Sequence, residues 1–185
     1  MNVYDFDKTI FYPDSTMTFL KYSFRNYPRY FTNEIDKIGK SIVEYVKTGD
    51  VTSGKEAMFS FVRYIPDIDS YVYKFWEDNL WRIEKWYLNQ KKDDDLIISA
   101  SPDFLLNPLA DMLGFNLIAT KMDKYTGNIL GCNNKGEEKV KRFKELYGDC
   151  TVDSFYSDSL SDAPMAKLAK KAYLVKFGKI FDWPM

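Results

Sequence analysis

The chain has no histidine and only two cysteines, Cys132 and Cys150, among its 185 residues. The absence of histidine excludes Ser-His-Asp and Cys-His catalytic groups, histidine-containing zinc sites and histidine phosphotransfer within this chain. Any acid or base that works near neutral pH must then be a carboxylate or a lysine with a shifted pKa. Because no charged and then apolar signal segment opens the chain, the two cysteines indicate reduced thiols, and we expect a cytoplasmic protein.

Long apolar runs and an excess of one charge are missing as well. No apolar segment approaches the roughly 20 residues that cross a bilayer, so we expect no membrane span. The 26 basic residues balance 27 acidic ones without forming a basic stripe, which argues against a nucleic-acid partner. The hydrophobic content of 45% is enough to bury a full core in one domain that carries a sizeable insertion.

Two aspartates lie directly after the short apolar segment at residues 1–4, in the sequence Asp5-Phe6-Asp7-Lys8-Thr9. Side chains alternate along a strand, so Asp5 and Asp7 can face one cleft, where like charges need a cation or a shared proton. Mg²⁺ fits such a site because it prefers hard oxygen ligands. On its own, however, the pair is more typical of a strand that runs into an Asp-rich turn.

Helical periodicity runs from Asp14 to about Gln90 and predicts a bundle of four helices, the first capped by Ser15. We expect a break at residues 48–50, Thr48-Gly49-Asp50, and the end of the third helix near Pro66. The apolar positions of the four helices are, in order, Met17, Leu20 and Phe24; Ile35, Ile38, Ile42 and Tyr45; Met58 and Phe61; and Val72, Phe75, Trp76, Ile83 and Trp86.

Beyond residue 95, predicted strands alternate with predicted helices. The strands are Leu96–Ile98, Phe115–Thr120, Thr151–Tyr156 and Tyr173–Lys176, with a hairpin at Tyr125–Gly131. The helices are one that Ser101 caps and Gly114 ends, one at Glu137–Tyr147, and a short one that reaches about Lys171. This alternation predicts an α/β fold with a mostly parallel sheet, which binds ligands at the carboxyl ends of its strands.

Those strand ends carry side chains suited to a phosphate group. Ser99, together with backbone N–H groups at a helix start, can cradle a phosphate, and the helix dipole favours the same negative charge. Asp158 can supply a further carboxylate to a metal ion. A lysine from the segment 135–139 can neutralise a phosphoryl oxygen.

Four segments resemble, in order, the motifs of the haloacid dehalogenase superfamily of phosphohydrolases. They are Asp5-Phe6-Asp7-Lys8-Thr9, Ile98-Ser99-Ala100-Ser101-Pro102, Lys139, and Asp158-Ser159-Leu160-Ser161-Asp162. The similar branch includes phosphoserine phosphatases and carries a helical cap inserted after the first strand. The resemblance implies a Rossmann-like catalytic core at residues 1–13 and 91–185, with a helical cap domain at residues 14–90.

The resemblance also implies a role for each matching residue. Asp5 would be the nucleophile that forms an aspartyl-phosphate, and Asp7 the general acid and base. Mg²⁺ would be held by the Asp5 and Asp158 carboxylates and the backbone carbonyl of Asp7. Ser99, Ala100 and Lys139 would bind the phosphate, while Thr9 and Asp162 would support them. The implied enzyme is a phosphoric monoester hydrolase that acts on a small phosphorylated metabolite.

Several alternatives stay open from the sequence. Lys135 is an alternative to Lys139, which we favour, and Asp162 can be simply a helix cap. Asp14 lies where the phosphoserine phosphatases carry an acidic residue for the substrate amine, but it can equally cap the first helix. Phosphoserine or a related metabolite is therefore one candidate substrate. A phosphotransferase with the same chemistry, a phosphorylatable signalling protein and an idle phosphate-binding protein are the other candidate functions.

Overall fold

The computed structural model describes residues 1–32, 36, 38–40, 43, 47 and 51–184. Within them, six strands form one sheet in the order β3-β2-β1-β4-β5-β6. The strands are β1 (Asn2–Tyr4), β2 (Leu96–Pro102), β3 (Asn116–Thr120), β4 (Val152–Ser157), β5 (Ala169–Lys176) and β6 (Lys179–Asp182). The first five are parallel, which confirms the predicted α/β fold with a mostly parallel sheet.

The short strand β1 lies in the middle of the sheet. Its Val3 pairs with Leu96 of β2 on one side and with Phe155 of β4 on the other. At the end of β1, the backbone N–H of Asp5 donates to the carbonyl of Tyr156 at 2.8 Å. The chain that follows β1 therefore leaves the sheet between the ends of β2 and β4.

The described residues between β1 and β2 are mostly helical. They are α1 (Ser15–Asn26), α2 (Pro28–Phe31), α3 (Val51–Phe59), α4 (Ile68–Asn79) and α5 (Lys85–Gln90), with 3₁₀ turns at Ser60–Tyr64 and Leu80–Arg82. The predicted fourth helix is thus wrong in its length, because the turn at Leu80–Arg82 interrupts it. Of the predicted second helix, Ile38 is buried, whereas Ile35, Ile42, Tyr45 and the break at 48–50 lie outside the described residues.

The cap and the buried face of α1 also differ from the prediction. Asp14, not Ser15, caps the helix, since its Oδ1 accepts the N–H of Met17 at 2.9 Å. The side chains of Met17 and Phe24 are 41% and 49% exposed. The buried aromatic side chain of the helix is instead Phe19, which packs against rings from other helices.

After β2 come the helices α6 (Asp103–Leu113), α7 (Glu137–Tyr147) and α8 (Ala163–Ala166). Gly114 ends α6 at φ 66°, a conformation that glycine adopts without a Cβ penalty, and α7 has its predicted bounds. Ser101 does not cap α6, because it belongs to β2 and Pro102 precedes the helix. The short last helix ends at Ala166 rather than near Lys171.

The predicted bounds of the last strand are wrong for a related reason. Ala169 pairs with Val152 and Lys171 with Ser154, so residues 169–171 belong to β5 and cannot be helical. The strand β6, which runs antiparallel to β5, was not predicted. The predicted hairpin is present as a turn at residues 123–127, closed by an antiparallel bridge between Met122 and Ile129.

Two hydrophobic clusters cover the two faces of the sheet. On β2, Ile97 belongs to one cluster and Leu96 and Ile98 to the other, as the alternation of side chains requires. The first cluster contains residues of α1 and α3 to α6, and the second contains residues of α7 and α8. The indole Nε1 of Trp76 in α4 donates to the carbonyl of Leu105 in α6 at 2.5 Å, which joins the helices of the first face.

Among the described helices, none is long and apolar enough to cross a membrane.

Candidate active site

The carboxyl ends of β1, β2 and β4 open into one cavity of about 400 Å³. The strand ends contribute Asp5 and Asp7, the segment 99–101, and Asp158 to its lining. The helices between β1 and β2 contribute the other wall, through Asp14, Thr16, Met17, Gly54, Lys55 and Met58. Parallel pairing of the central strands therefore brings the distant sequence segments to one place.

Asp5 is held in this cavity by a buried lysine. The ammonium Nζ of Lys139 donates to Asp5 Oδ1 at 2.6 Å and to Asp162 Oδ2 at 2.7 Å. Asp162 also accepts the hydroxyl of Ser157 at 2.8 Å. Lys139 is the only fully buried cation among the described residues, and it is shared between two buried carboxylates.

Thr9 links Asp5 to the loop that carries Asp158. Its hydroxyl donates to Asp5 Oδ2 at 3.3 Å and accepts the backbone N–H of Asp158 at 2.9 Å. On the other side, Lys176 of β5 donates to the carbonyl of Asp158. The backbone of Asp158 is thus held on both sides, and its half-buried side chain lines the cavity with Asp5.

Both carboxylate oxygens of Asp7 have donors. The backbone N–H of Ser15, at the start of α1, donates to Oδ1, and the hydroxyl of Ser101 donates to Oδ2, each at 2.5 Å. Burial, with a smaller contribution from the charge of the nearby Asp14, raises the pKa of Asp7 to about 6 against the opposing hydrogen bonds from Ser101 and Ser15. A carboxyl group with such a pKa can hold a proton and release it near neutral pH.

Ser99 and Ala100 form the cavity wall at the end of β2. The hydroxyl of Ser99 accepts the N–H of Ser101 at 3.0 Å, so its own proton can point to an acceptor in the cavity. The carbonyl of Ala100 accepts the hydroxyl of Thr120 and the ammonium of Lys55, each at 2.7 Å. These two hydrogen bonds therefore fix the backbone carbonyl of Ala100, next to Ser99.

Negative charge dominates the buried part of the site. Burial, with smaller contributions from the nearby carboxylates of Asp162 and Asp158, raises the pKa of Asp5 to about 7 against the opposing charge of Lys139. Burial also raises the pKa of Asp158. These carboxylates outnumber the buried Lys139, so a cation beside Asp5 and Asp158 would relieve their repulsion.

The donor set suits magnesium better than a metal that needs many side-chain ligands. Within the described part of the chain, no group of three or more His, Cys, Asp or Glu residues could hold a metal ion. Mg²⁺ needs only one or two carboxylates, because it keeps several waters and binds phosphate oxygens. The carboxylates of Asp5 and Asp158, together with a backbone carbonyl, fit that requirement.

The structure separates the two candidate phosphate lysines. Lys139 is buried against Asp5, whereas Lys135 is exposed, although it lines the same cavity. Asp14 caps α1 and also lines the cavity, so its cap role does not remove it from the site.

Comparison with known proteins identifies the family of this chain. Residues 3–167 match the family described as haloacid dehalogenase-like hydrolases. The chain belongs to that family. The order of its four motifs predicted this family.

Individual relatives agree with the hydrolase family. This chain is 30% identical over 113 residues to a histidinol-phosphatase of Neisseria meningitidis, a match that covers 50% of this chain and 51% of the relative. The chain thus spans about half the length of that curated relative. A Bordetella pertussis protein of unknown function has the same fold, with a TM-score of 0.73 at 20% identity over 93% of this chain and 87% of that one.

A further structure is a phosphoserine phosphohydrolase-like protein from Francisella tularensis, with a TM-score of 0.55 and 15% identity. The similarity covers 93% of this chain and 86% of the Francisella chain. At this identity, the likeness concerns the fold.

Sequence reasoning missed Lys55 as a residue of the site. Its Nζ donates to the carbonyl of Ala100 and to Oδ1 of Asn133, at 2.7 and 2.6 Å. Burial lowers its pKa to about 8, against the opposing charges of Asp7 and Asp14. Lysine is common on helix surfaces, so nothing in the segment 51–59 distinguishes this residue from a solvated one.

Ser101 and Asn134 were missed as site residues too. Ser101 was interpreted as a helix cap, although it follows Ser99 at the spacing that puts both on one face of a strand. The side-chain amide of the buried Asn134 donates to the carbonyls of Ser99 and Ile118, at 2.9 and 3.1 Å. It ties β2 to β3 beside the site, a contact between distant segments that no local pattern announces.

Proposed function

We propose that this hydrolase is a Mg²⁺-dependent phosphatase that hydrolyses a small phosphomonoester through an aspartyl-phosphate on Asp5. The observation that carries the proposal is the position of Asp5, buried at the end of β1, bound to Lys139 and facing a cavity shared with Asp7, Ser99 and Asp158. Such a cavity offers a nucleophile, a proton donor and phosphate-binding groups together.

In the first step, a carboxylate oxygen of Asp5 attacks the phosphorus atom, and the bond from phosphorus to the ester oxygen breaks. The leaving oxygen takes a proton from the carboxyl group of Asp7 and departs as an alcohol. Lys139 keeps the Asp5 carboxylate oriented, and its positive charge stabilises the negative charge on the phosphoryl oxygens.

In the second step, Asp7 works in reverse. Its carboxylate takes a proton from water, and the oxygen of that water attacks the phosphorus of the aspartyl-phosphate. The bond between phosphorus and the Asp5 oxygen breaks, which releases inorganic phosphate, restores the Asp5 carboxylate and leaves Asp7 protonated for the next substrate.

The carboxylates of Asp5 and Asp158 and the carbonyl of Asp7 would hold the metal ion. When bound, Mg²⁺ supplies positive charge next to the phosphate oxygens and lowers the repulsion between nucleophile and substrate. The Ser99 hydroxyl, the Ala100 backbone and Lys139 bind the remaining phosphate oxygens. Thr9 and Asp162 keep Asp5, Asp158 and Lys139 in place through the bonds already described.

Residues 14–90 form the cap in this proposal, and residues 1–13 and 91–185 the catalytic core. Support comes from the wall that α1 and α3 contribute to the cavity. Closure would exclude water during the first step, and reopening would admit water for the second. The unpaired, exposed Cys132 and Cys150 suit the reducing cytoplasm, where we propose that the enzyme acts.

The substrate is proposed to be a small phosphorylated metabolite that carries an amino group. Histidinol phosphate and phosphoserine, the substrates that the names of related proteins give, both have one. Asp14 at the cavity is the carboxylate that can receive it.

A screen tests the proposal. Purified protein with Mg²⁺ is given phosphorylated amino acids, amino alcohols, sugars and nucleotides and an aryl phosphate, and released phosphate is measured. We expect hydrolysis that a chelator abolishes and added Mg²⁺ restores. Lack of hydrolysis of every substrate by folded protein would favour a signalling or phosphate-binding role, and transfer of phosphate to an added alcohol would favour a phosphotransferase.

A further inference from the structure

The carboxylate of Asp7 accepts one hydrogen bond from a side chain that has no role in the mechanism proposed above, that of Ser101. Its Oδ1 accepts a backbone N–H, that of Ser15, which any residue at that position would provide. Its Oδ2 accepts the hydroxyl of Ser101, and this donor depends on the side chain. Ser101 is 4% exposed and lies at the end of β2, next to the cavity.

Ser101 is itself held by two further hydroxyl groups. Its Oγ lies 3.1 Å from Ser15 Oγ and 3.4 Å from Thr16 Oγ1, both in the first turn of α1. The backbone N–H of Ser101 is bound to Ser99 Oγ. Asp7, the start of α1 and the end of β2 are thus joined by one small group of buried hydroxyls, with Ser101 at its centre.

We propose that Ser101 is a positioning residue for Asp7, and that its hydroxyl is required for the transfer of a proton to the leaving alcohol. This inference rests on the proposed phosphatase function and concerns its first step.

The reason lies in how the hydrogen bond changes during that step. As the proton moves from Asp7 to the ester oxygen, and the bond from phosphorus to that oxygen breaks, the neutral carboxyl group becomes a carboxylate. The bond from Ser101 to Oδ2 then becomes charge-assisted and roughly twice as strong. Because it is stronger after proton transfer than before, it lowers the barrier to that transfer.

Substrates with different leaving groups separate this role from a merely structural one. An alkyl phosphate needs a proton on its leaving oxygen, whereas an aryl phosphate with an acidic phenol does not. The measured quantity is kcat/KM, which reports the steps up to the first phosphoryl transfer. We expect Ser101→Ala to lower kcat/KM about 10- to 100-fold for the alkyl phosphate and less than about threefold for the aryl phosphate.

Thr16→Val is the matched control. It removes a buried hydroxyl that touches Ser101 and keeps a side chain of the same shape, and it leaves the backbone N–H of Ser15 and the hydroxyl of Ser101 in place as donors to Asp7. We expect its loss to be small and similar for both substrates. Ser101→Thr keeps the donor and should recover most of the alkyl phosphate activity, while Ser101→Cys, with a weaker donor of similar size, should not.

The outcomes separate the two levels of inference. Equal losses on both substrates in Ser101→Ala, or equal effects of Ser101→Ala and Thr16→Val, would overturn the role of Ser101 and leave the phosphatase function standing. If the Ala variant fails to fold, Ser101→Cys gives the same comparison. An inactive wild-type protein would instead overturn the phosphatase function itself.

Discussion

The ammonium group of Lys139 lies 2.6 Å from Oδ1 of Asp5, and both residues are buried. The same ammonium group binds Asp162, so one cation from α7 neutralises carboxylates from β1 and from the loop after β4. The ion pair between Lys139 and Asp5 therefore stabilises the fold as well as lining the site.

Removal of this cation should weaken folding. Lys139→Ala leaves two buried carboxylates without their partner, and we expect it to lower the free energy of unfolding by about 3–5 kcal/mol at neutral pH. Urea denaturation measures the change. Lys135→Ala is the control, because Lys135 is exposed and should cost less than about 0.5 kcal/mol. A similar decrease in the free energy of unfolding in both variants would show that Lys139 does not stabilise the buried carboxylates of Asp5 and Asp162.

Asp158 should control the response to magnesium. Asp158→Asn removes a charged carboxylate that we propose to bind the metal, so the Mg²⁺ concentration for half-maximal activity should rise at least about tenfold. Asp153→Asn is the control, because Asp153 lies on β4, the strand that ends just before Asp158, but binds the amino terminus and Lys170; this variant should leave that concentration unchanged. A titration of activity with Mg²⁺ distinguishes the two. An unchanged Mg²⁺ requirement in Asp158→Asn would exclude Asp158 as a ligand.

Lys55 should make stability depend on pH. Its pKa is lowered by burial to about 8 in the folded chain, while in the unfolded chain it stays near the ordinary value. Between about pH 8 and 10 the unfolded state thus binds more protons, and the free energy of unfolding should rise with pH relative to that of Lys55→Met. Denaturation of both proteins at several pH values measures the difference. A difference that is constant, or that falls with pH, would contradict a buried Lys55.

In the loop at residues 121–134, an added methyl group should destabilise the fold more at one glycine than at another. Gly127 and Gly131 both have positive φ, 79° and 100°, so alanine strains the backbone at each. Only at Gly127 would a Cβ meet another group, the carbonyl oxygen of Phe59 in α3 at 2.5 Å. We expect Gly127→Ala to cost about 1–3 kcal/mol more than Gly131→Ala in thermal or urea denaturation. Equal costs would show that α3 does not press on this loop.

The parallel sheet was predictable because apolar segments of strand length alternate with amphipathic segments beyond residue 95. The strand β6 was not, since its residues are exposed and its place depends on pairing with β5. The interruption of the predicted fourth helix at Leu80–Arg82 likewise escaped the apolar spacing, which runs on unbroken from Val72 to Trp86.

The candidate site was predictable where its residues belong to a contiguous motif, as Asp5 and Asp7 do. Lys55 and Asn134 have no such context. Each acts through contacts with the end of β2, and those contacts exist only after residues 35 to 45 positions apart in the chain have come together. The role of Ser101 was hidden by a competing pattern, because a serine before a proline is also typical of a helix start.

The most direct test asks which residue carries the phosphoryl group. Asp7→Asn should still accept a phosphoryl group from an aryl phosphate, because that leaving group needs no proton, but it should hydrolyse the intermediate slowly. After incubation with labelled aryl phosphate and an acid quench, peptide mapping should locate the label on Asp5, and the double variant Asp5→Asn/Asp7→Asn should carry none. Label on another residue, or label that persists in the double variant, would contradict Asp5 as the nucleophile.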